Sequence, residues 1–246
     1  MEFSKKEIMT TSWGVTKTNL PILLVVSTIY LFLIMILFQI FSLMSPDFTN
    51  KIMSDDVIGI LNLSLPSLKN ILFLFSSIFF ITGLNLGFLQ ICINLLKEKE
   101  TKILQLFNSF DILISYLLAT MLYGIAQAIV AIPGIIVLMI FFSLNLSSPF
   151  YVFGIFLAFL PAAYCSIRLQ FYVYFLLDKN KGCIESLRGS YNISNGCVYQ
   201  LFIMGAILSL IIQISIIPLF LGLIISLPYS KMVTTYMYMK LLKKGK

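Results

Sequence analysis

The chain has 246 residues, of which 59% are hydrophobic and 11% charged, and its formal net charge is +7. A soluble domain carries about 25% charged residues, so this composition excludes a water-facing surface and points to an integral membrane protein. There is no histidine, which removes the commonest general base and the commonest metal ligand.

Charge-free stretches mark the segments that cross the membrane, each needing about 20 apolar residues. The first stretch covers 18–46 and predicts a helix over 20–44. It is too long for a signal-peptide core and has no small-x-small cleavage pattern, so the helix is read as uncleaved. A loop over 45–69 follows, with Asp47, Asp55 and Asp56 set against Lys51 and Lys69. Its apolar stretch 57–65 is too short to span and is expected to lie at the interface. The second span is predicted at 70–96. Residues 112–167 are free of charge but too many for one helix. Leu144-Asn145-Leu146-Ser147-Ser148-Pro149 breaks them into spans at 112–143 and 150–177. The last charge-free run, 198–230, holds Pro218 and Gly222. Proline removes a helical hydrogen bond, which places a tight turn near Pro218 and spans at 197–217 and 219–241. One long kinked helix is the alternative, and it gives five spans in place of six. The expected fold is an all-α polytopic transmembrane helical bundle, a single integral membrane domain over 1–246.

Lysine and arginine placement orients the bundle. Lys5, Lys6 and Lys17 precede the first span, and Lys97, Lys99 and Lys102 follow the second. Lys179, Lys181 and Arg188 follow the fourth, and Lys240, Lys243, Lys244 and Lys246 close the chain. Six spans put all four clusters on one face, so both termini are expected in the cytoplasm of a cell-membrane protein. Five spans would put the last cluster outside. The positive charge is then a collar suited to anionic lipid head groups, and it calls for no nucleic-acid partner. Cys92, Cys165, Cys183 and Cys197 show no metal-type spacing and read as small packing residues.

Three segments that precede odd-numbered spans resemble one another. They are 8–19, with Ser12-Trp13-Gly14-Val15-Thr16, then 103–111, and 184–195, with Ser190-Tyr191-Asn192-Ile193-Ser194. Ile103, Leu106, Phe107 and Phe110 recur at helical spacing, as do Ile184, Leu187 and Tyr191. The expectation is a surface helix leading each of three hairpins. Trp13, Phe107, Leu187 and Tyr191 mark these amphipathic segments.

The run Arg168-Leu169-Gln170-Phe171-Tyr172-Val173-Tyr174-Phe175-Leu176-Leu177-Asp178, with Gly182 to Tyr191 and Asn195-Gly196 after it, resembles a bacterial integral membrane protein superfamily. Its members include proteins of unknown function and the membrane domain fused to some glycerophosphodiester phosphodiesterases. Ile132-Pro133-Gly134-Ile135 resembles the family's Pro-Gly in the third span. Leu227-Pro228-Tyr229 followed by Tyr236 or Tyr238 resembles its closing motif. The resemblance implies a six-helix fold. The phosphodiesterase catalytic domain is absent, so no reaction is implied.

Arg168 is the strongest candidate for a ligand or lipid contact, because an ionised side chain within a span is costly unless paired or facing a cavity. Asp178 and Asp111 are its candidate partners, and a lipid phosphate is another. Gln39, Asn85, Gln90, Asn94, Gln127, Gln170 and Gln213 lie within spans and suit interhelical hydrogen bonding. No phosphate loop or nucleophile elbow is present. A Ser-Lys dyad is set aside because the spans are taken to lack lysine. No catalytic residue, metal or cofactor is expected. The function expected is a non-enzymatic scaffold or partner subunit, in contact with a membrane protein or with further copies of itself. The alternative is a small transporter, channel or permease subunit for a lipid or amphipathic substrate.

Overall fold

The computed structural model describes residues 4–44, 68–144, 148–217 and 222–244. The apolar loop stretch 57–65 and the turn at Pro218 lie outside the described residues. The described residues form an all-helical bundle with no strand. In chain order the helices are α1 (Lys5–Thr18), α2 (Leu20–Met44), α3 (Leu68–Leu96), α4 (Leu113–Ser143), α5 (Ser148–Leu169), α6 (Tyr172–Lys179), α7 (Cys183–Ile193), α8 (Val198–Ile216) and α9 (Leu223–Lys244). Two 3-10 turns, Ile103–Leu106 and Asn108–Ile112, lead into α4.

Among the described residues five stretches are long and apolar enough to cross a membrane. They correspond to α2, α3, α4 with its leading turns, α5 with α6, and α8, so the chain is a multi-pass membrane protein. The sixth expected span is also a helix, α9, but it is not among the five. Its apolar stretch ends at Leu227, after which Lys231, Lys240, Lys243 and Lys244 enter. That second half is nonetheless buried: Met232, Val233, Thr235, Met237, Tyr238 and Leu241 are all sequestered. α9 is a helix enclosed by protein more than one bathed in lipid.

The chain divides into two compact units, one formed by Met1–Lys17 with Ile114–Lys246 and the other by Thr18–Leu113. In the smaller unit α2 packs on α3, with Tyr30 edge-on to Phe88 and Phe41 stacked on Phe73. The 3-10 segment lies on α3. Gly83 and Gly87 make this possible, because a β-carbon at Gly83 would enter the Phe110 ring and one at Gly87 would collide with the Leu106 carbonyl. Asn94 donates to Gln105 Oε1 at 3.1 Å, tying the end of α3 to the same segment.

In the larger unit α6 and α7 pack closely, and α8 pairs with α9. Burial gathers toward the basic ends of the helices. Tyr172, Tyr174, Phe175, Leu176 and Leu177 of α6 are buried, whereas Ile125, Ile129, Ile136 and Met139 further along α4 are exposed. Apolar side chains left in the open are stable only against lipid or another protein. Pro133 and Pro161 sit inside α4 and α5 without ending either helix.

The expected repeat extends to a common pattern of packing. Each leading segment carries a buried serine followed by an aromatic: Ser12-Trp13, Ser109-Phe110 and Ser190-Tyr191. Thr16 and Ser194 hold the same place four residues on, and each hydroxyl donates to the carbonyl one turn back, Ser12 O at 2.7 Å and Ser190 O at 2.9 Å. Each segment also meets a helix bearing a Leu-x-aromatic triplet. The segment with Ser109 meets α3, which holds Leu86-Gly87-Phe88. α7 meets the α5–α6 junction, Leu169-Gln170-Phe171. α1 meets α9, which holds Leu227-Pro228-Tyr229, through Trp13 edge-on to Tyr229, the Tyr229 hydroxyl at 3.5 Å from Met9 O, and a 2.7 Å pair between Lys240 and Glu7. Two of the three segments are α-helices and the middle one is 3-10.

Candidate functional site

The Arg168 site begins with a broken helix. α5 ends at Leu169 and α6 begins at Tyr172. The break frees the Arg168 carbonyl and the Phe171 N–H, and buried backbone groups of this kind must find other partners. Serines of the α7 segment supply them. The Ser190 hydroxyl donates to Arg168 O at 2.9 Å and accepts from Phe171 N–H at 3.0 Å. The Ser194 hydroxyl stands 3.1 Å from the same carbonyl. α7 therefore buries its serine edge, Ser186 and Ser190, and leaves Ile184 and Tyr191 turned outward. A helix that hides hydroxyls and shows apolar side chains suits an apolar or interfacial medium.

The Arg168 side chain is 6% exposed. Its Nη1 donates to the Tyr164 hydroxyl at 2.9 Å and its Nη2 to the Tyr191 carbonyl at 3.0 Å. The guanidinium carbon lies 3.6 Å from the centre of the Tyr191 ring. Tyr191 stands in the last turn of α7, where carbonyls point outward and the helix dipole favours a cation. Cation–π stacking contributes about 1–2 kcal/mol in a desolvated place, and each hydrogen bond to a charged group about 1.5–3 kcal/mol. The Nε proton has no acceptor among the described residues.

The expected pairing of Arg168 with Asp178 is not what the structure shows: within the larger unit no described carboxylate forms an ion pair with Arg168. Asp178, almost fully buried, accepts from the Tyr238 hydroxyl at 3.2 Å and has Lys179 Nζ at 3.8 Å. The reason is geometric. α6 turns its Asp178 edge to α9, while Arg168 faces the end of α7, so the two charges serve different helices. Asp111 is exposed on the second 3-10 turn. Trp13, Phe107 and Tyr191 are each close to half exposed, and Leu187 is half-buried. The apolar stripe of the middle segment splits, with Leu106 buried and Ile103 and Phe107 outward.

Other polar side chains within the spans bond one another. Tyr123 and Gln127 of α4 meet Ser166 of α5 at 3.1 and 2.9 Å. The Thr120 hydroxyl lies 2.9 Å from that of Tyr172, whose ring stacks between Tyr116 and Tyr123. A cavity of about 460 Å³ beside Leu118, Met121, Cys183 and Ile184 is almost wholly apolar.

The reading that the spans lack lysine is corrected by Lys231 and Lys240, both within the predicted 219–241 span. Lys231 falls about 12 Å along α9 from Leu223 and about 20 Å from Lys244 at helical rise. With Gly205, Leu208, Ser209, Ile212 and Gln213 of α8 and Ser230 and Thr234 of its own helix, it lines an open, mostly apolar groove of about 350 Å³. Ser230 is not poised against Lys231 as a nucleophile: its hydroxyl donates to Leu227 O at 3.0 Å. Sequence reasoning passed over Lys231 by ending the charge-free run at Ser230, and a search for charges inside the predicted spans would have found it. Tyr164 stands one turn before Arg168 on the same helix, and that i, i+4 spacing could have marked it as a partner.

No protein-family model, no curated protein and no solved structure matches this chain.

Proposed function

We propose that the chain is a non-enzymatic membrane scaffold or partner subunit that holds another protein in or on the membrane. The observation that carries this reading is the state of Arg168. A substrate-binding arginine would present its guanidinium to a cavity. Here the guanidinium is stacked on Tyr191, bonded to Tyr164 and to the end of α7, and closed off. The amides and hydroxyls of α4, α5 and α6 that would line a pathway are likewise bonded to each other. Lipid-facing or partner-facing apolar surface is extensive along α4 and α5. Cytoplasmic termini in a cell membrane, with basic residues near anionic head groups, belong to the same reading.

The test is purification from native membranes under mild detergent, with bound proteins and lipids both identified. A membrane protein recovered in fixed stoichiometry is the expected result. The second reading, a small transporter or permease subunit for a lipid or amphipathic substrate, draws on the mostly apolar groove edged by Lys231. It expects flux in reconstituted vesicles with no copurifying protein.

A further inference from the structure

We propose that anionic phospholipid head groups bind a lysine cluster shared by α1 and α9 and thereby hold α1 docked on α9. The 2.7 Å pair between Lys240 and Glu7 brings the first turn of α1 beside the end of α9. The two helices run antiparallel there, because Met9 and Trp13, further along α1, meet Tyr229, further back along α9. Lys5 and Lys6 therefore gather with Lys240 and Lys243 at one end of the pair. Lys6 and Lys243 are exposed, and among the described residues neither they nor Lys5 form an ion pair. Over 1–7 and 240–246 the chain carries six lysines against two glutamates, so like charges crowd this end and push the helices apart.

Little else fastens α1. Its buried side chains are Ile8, Ser12 and Thr16, of which only Ile8 is apolar, and the Ser12 hydroxyl has no partner among the described residues. A modest electrostatic effect therefore decides whether the helix stays docked. Lipid is placed to supply it. α1 ends at Thr18, and α2, long and apolar enough to cross a membrane, starts at Leu20, so α1 stands at the membrane surface. Lys6, Thr10, Trp13 and Lys17 share one exposed face of α1 at helical spacing, and a tryptophan set between lysines suits the head-group layer. Every cation of the cluster is a lysine. Lysine's compact charge on a flexible stem suits a fluid array of phosphates, whereas arginine's planar fork suits a fixed carboxylate. Docked α1 presents the ammoniums of both helices to the same head groups, and free α1 only its own. That difference is what lets lipid favour the docked form.

Glu7 and Lys240 supply the readout, since a zero-length carbodiimide couples a carboxylate to an ammonium only where the two touch. The full chain is reconstituted in vesicles of phosphatidylcholine, alone or mixed with phosphatidylglycerol, and the Glu7–Lys240 cross-link is measured by mass spectrometry. Hydrogen exchange over 5–18 gives a second measure. The ratio of docked to free α1 is expected to rise about tenfold with phosphatidylglycerol, the effect of little more than one lysine meeting an anionic surface. Lys6→Gln combined with Lys243→Gln should remove that dependence. Unchanged exchange over 183–193 then shows that the chain is folded. Lys6→Arg with Lys243→Arg should keep the dependence. Equal cross-linking in the two lipids overturns the proposal, and so does a phosphatidylglycerol effect that survives the glutamine pair. Glycerol phosphate in solution over phosphatidylcholine vesicles should leave exchange over 5–18 as it was. Protection equal to that from phosphatidylglycerol assigns the cluster to a soluble phosphate ester and overturns the lipid reading. Protection that follows added polyglutamate but not phosphatidylglycerol assigns it to an acidic polypeptide and overturns it as well.

Discussion

The two units receive a leading segment against a long helix by different means. In the smaller unit α3 continues unbroken, and glycines clear the space: Gly87 admits the Leu106 carbonyl and Gly83 the Phe110 ring. In the larger unit the helix itself gives way. α5 stops, α6 resumes, and Ser190 and Ser194 take over the hydrogen bonds the helix lost. The same serine-aromatic signature occurs in both places, so the signature alone does not dictate the outcome. What differs is the receiving triplet. Leu86-Gly87-Phe88 can be approached closely, because its central residue has no side chain. Leu169-Gln170-Phe171 cannot, and the chain opens its backbone in place of its surface.

Five substitutions at four positions probe that difference, each read by unfolding midpoints in detergent and by hydrogen exchange of the segment concerned. Gly87→Ala should have the largest effect. The added carbon overlaps backbone rather than a flexible side chain, and overpacking of this kind costs about 3 kcal/mol. Protection should fall over 103–112 and stay unchanged over 183–193. Ser190→Ala should follow, at about 2 kcal/mol, since it leaves a buried N–H without an acceptor. Its loss of protection should centre on 169–172. If Ser190→Ala is silent, the broken helix does not depend on α7 and the contrast between the units fails. Tyr191→Leu should cost about 1 kcal/mol through the lost cation–π contact. Tyr191→Phe should be nearly neutral, because the ring and the backbone carbonyl that Arg168 uses both remain. Glu7→Gln should matter least, about 0.5 kcal/mol or below, because the Glu7 carboxylate is half exposed and screened.

Lys231 and Arg168 make a second contrast. Both are cations on helices of the larger unit; Arg168 is buried against an aromatic ring and a helix end, and Lys231 is half-buried at the edge of a mostly apolar groove. Arginine suits enclosure because its planar fork stacks and bonds at once.

The helical class and the positions of the long apolar helices were legible from residues alone. Hydropathy is a sum over local composition, and in a bilayer the backbone must satisfy its own hydrogen bonds within each segment. The predicted spans at 20–44, 70–96 and 112–143 lie within two residues of α2, α3 and α4 at each end. The serine-aromatic pairs were also visible as a pattern. Their purpose was not, because nothing near Leu169 in the chain signals a break: no proline stands there, and the hydroxyls that hold it come from about 20 residues downstream. The burial of the second half of α9 was equally hidden, since its lysines and threonines read as the end of a span. Tertiary packing alone decided the partners of Arg168 and Asp178. Opposite charge suggested that they meet, but a charge in a bundle bonds whatever its helix face is turned toward. Here that was an aromatic ring and a helix end for one, and a tyrosine hydroxyl for the other.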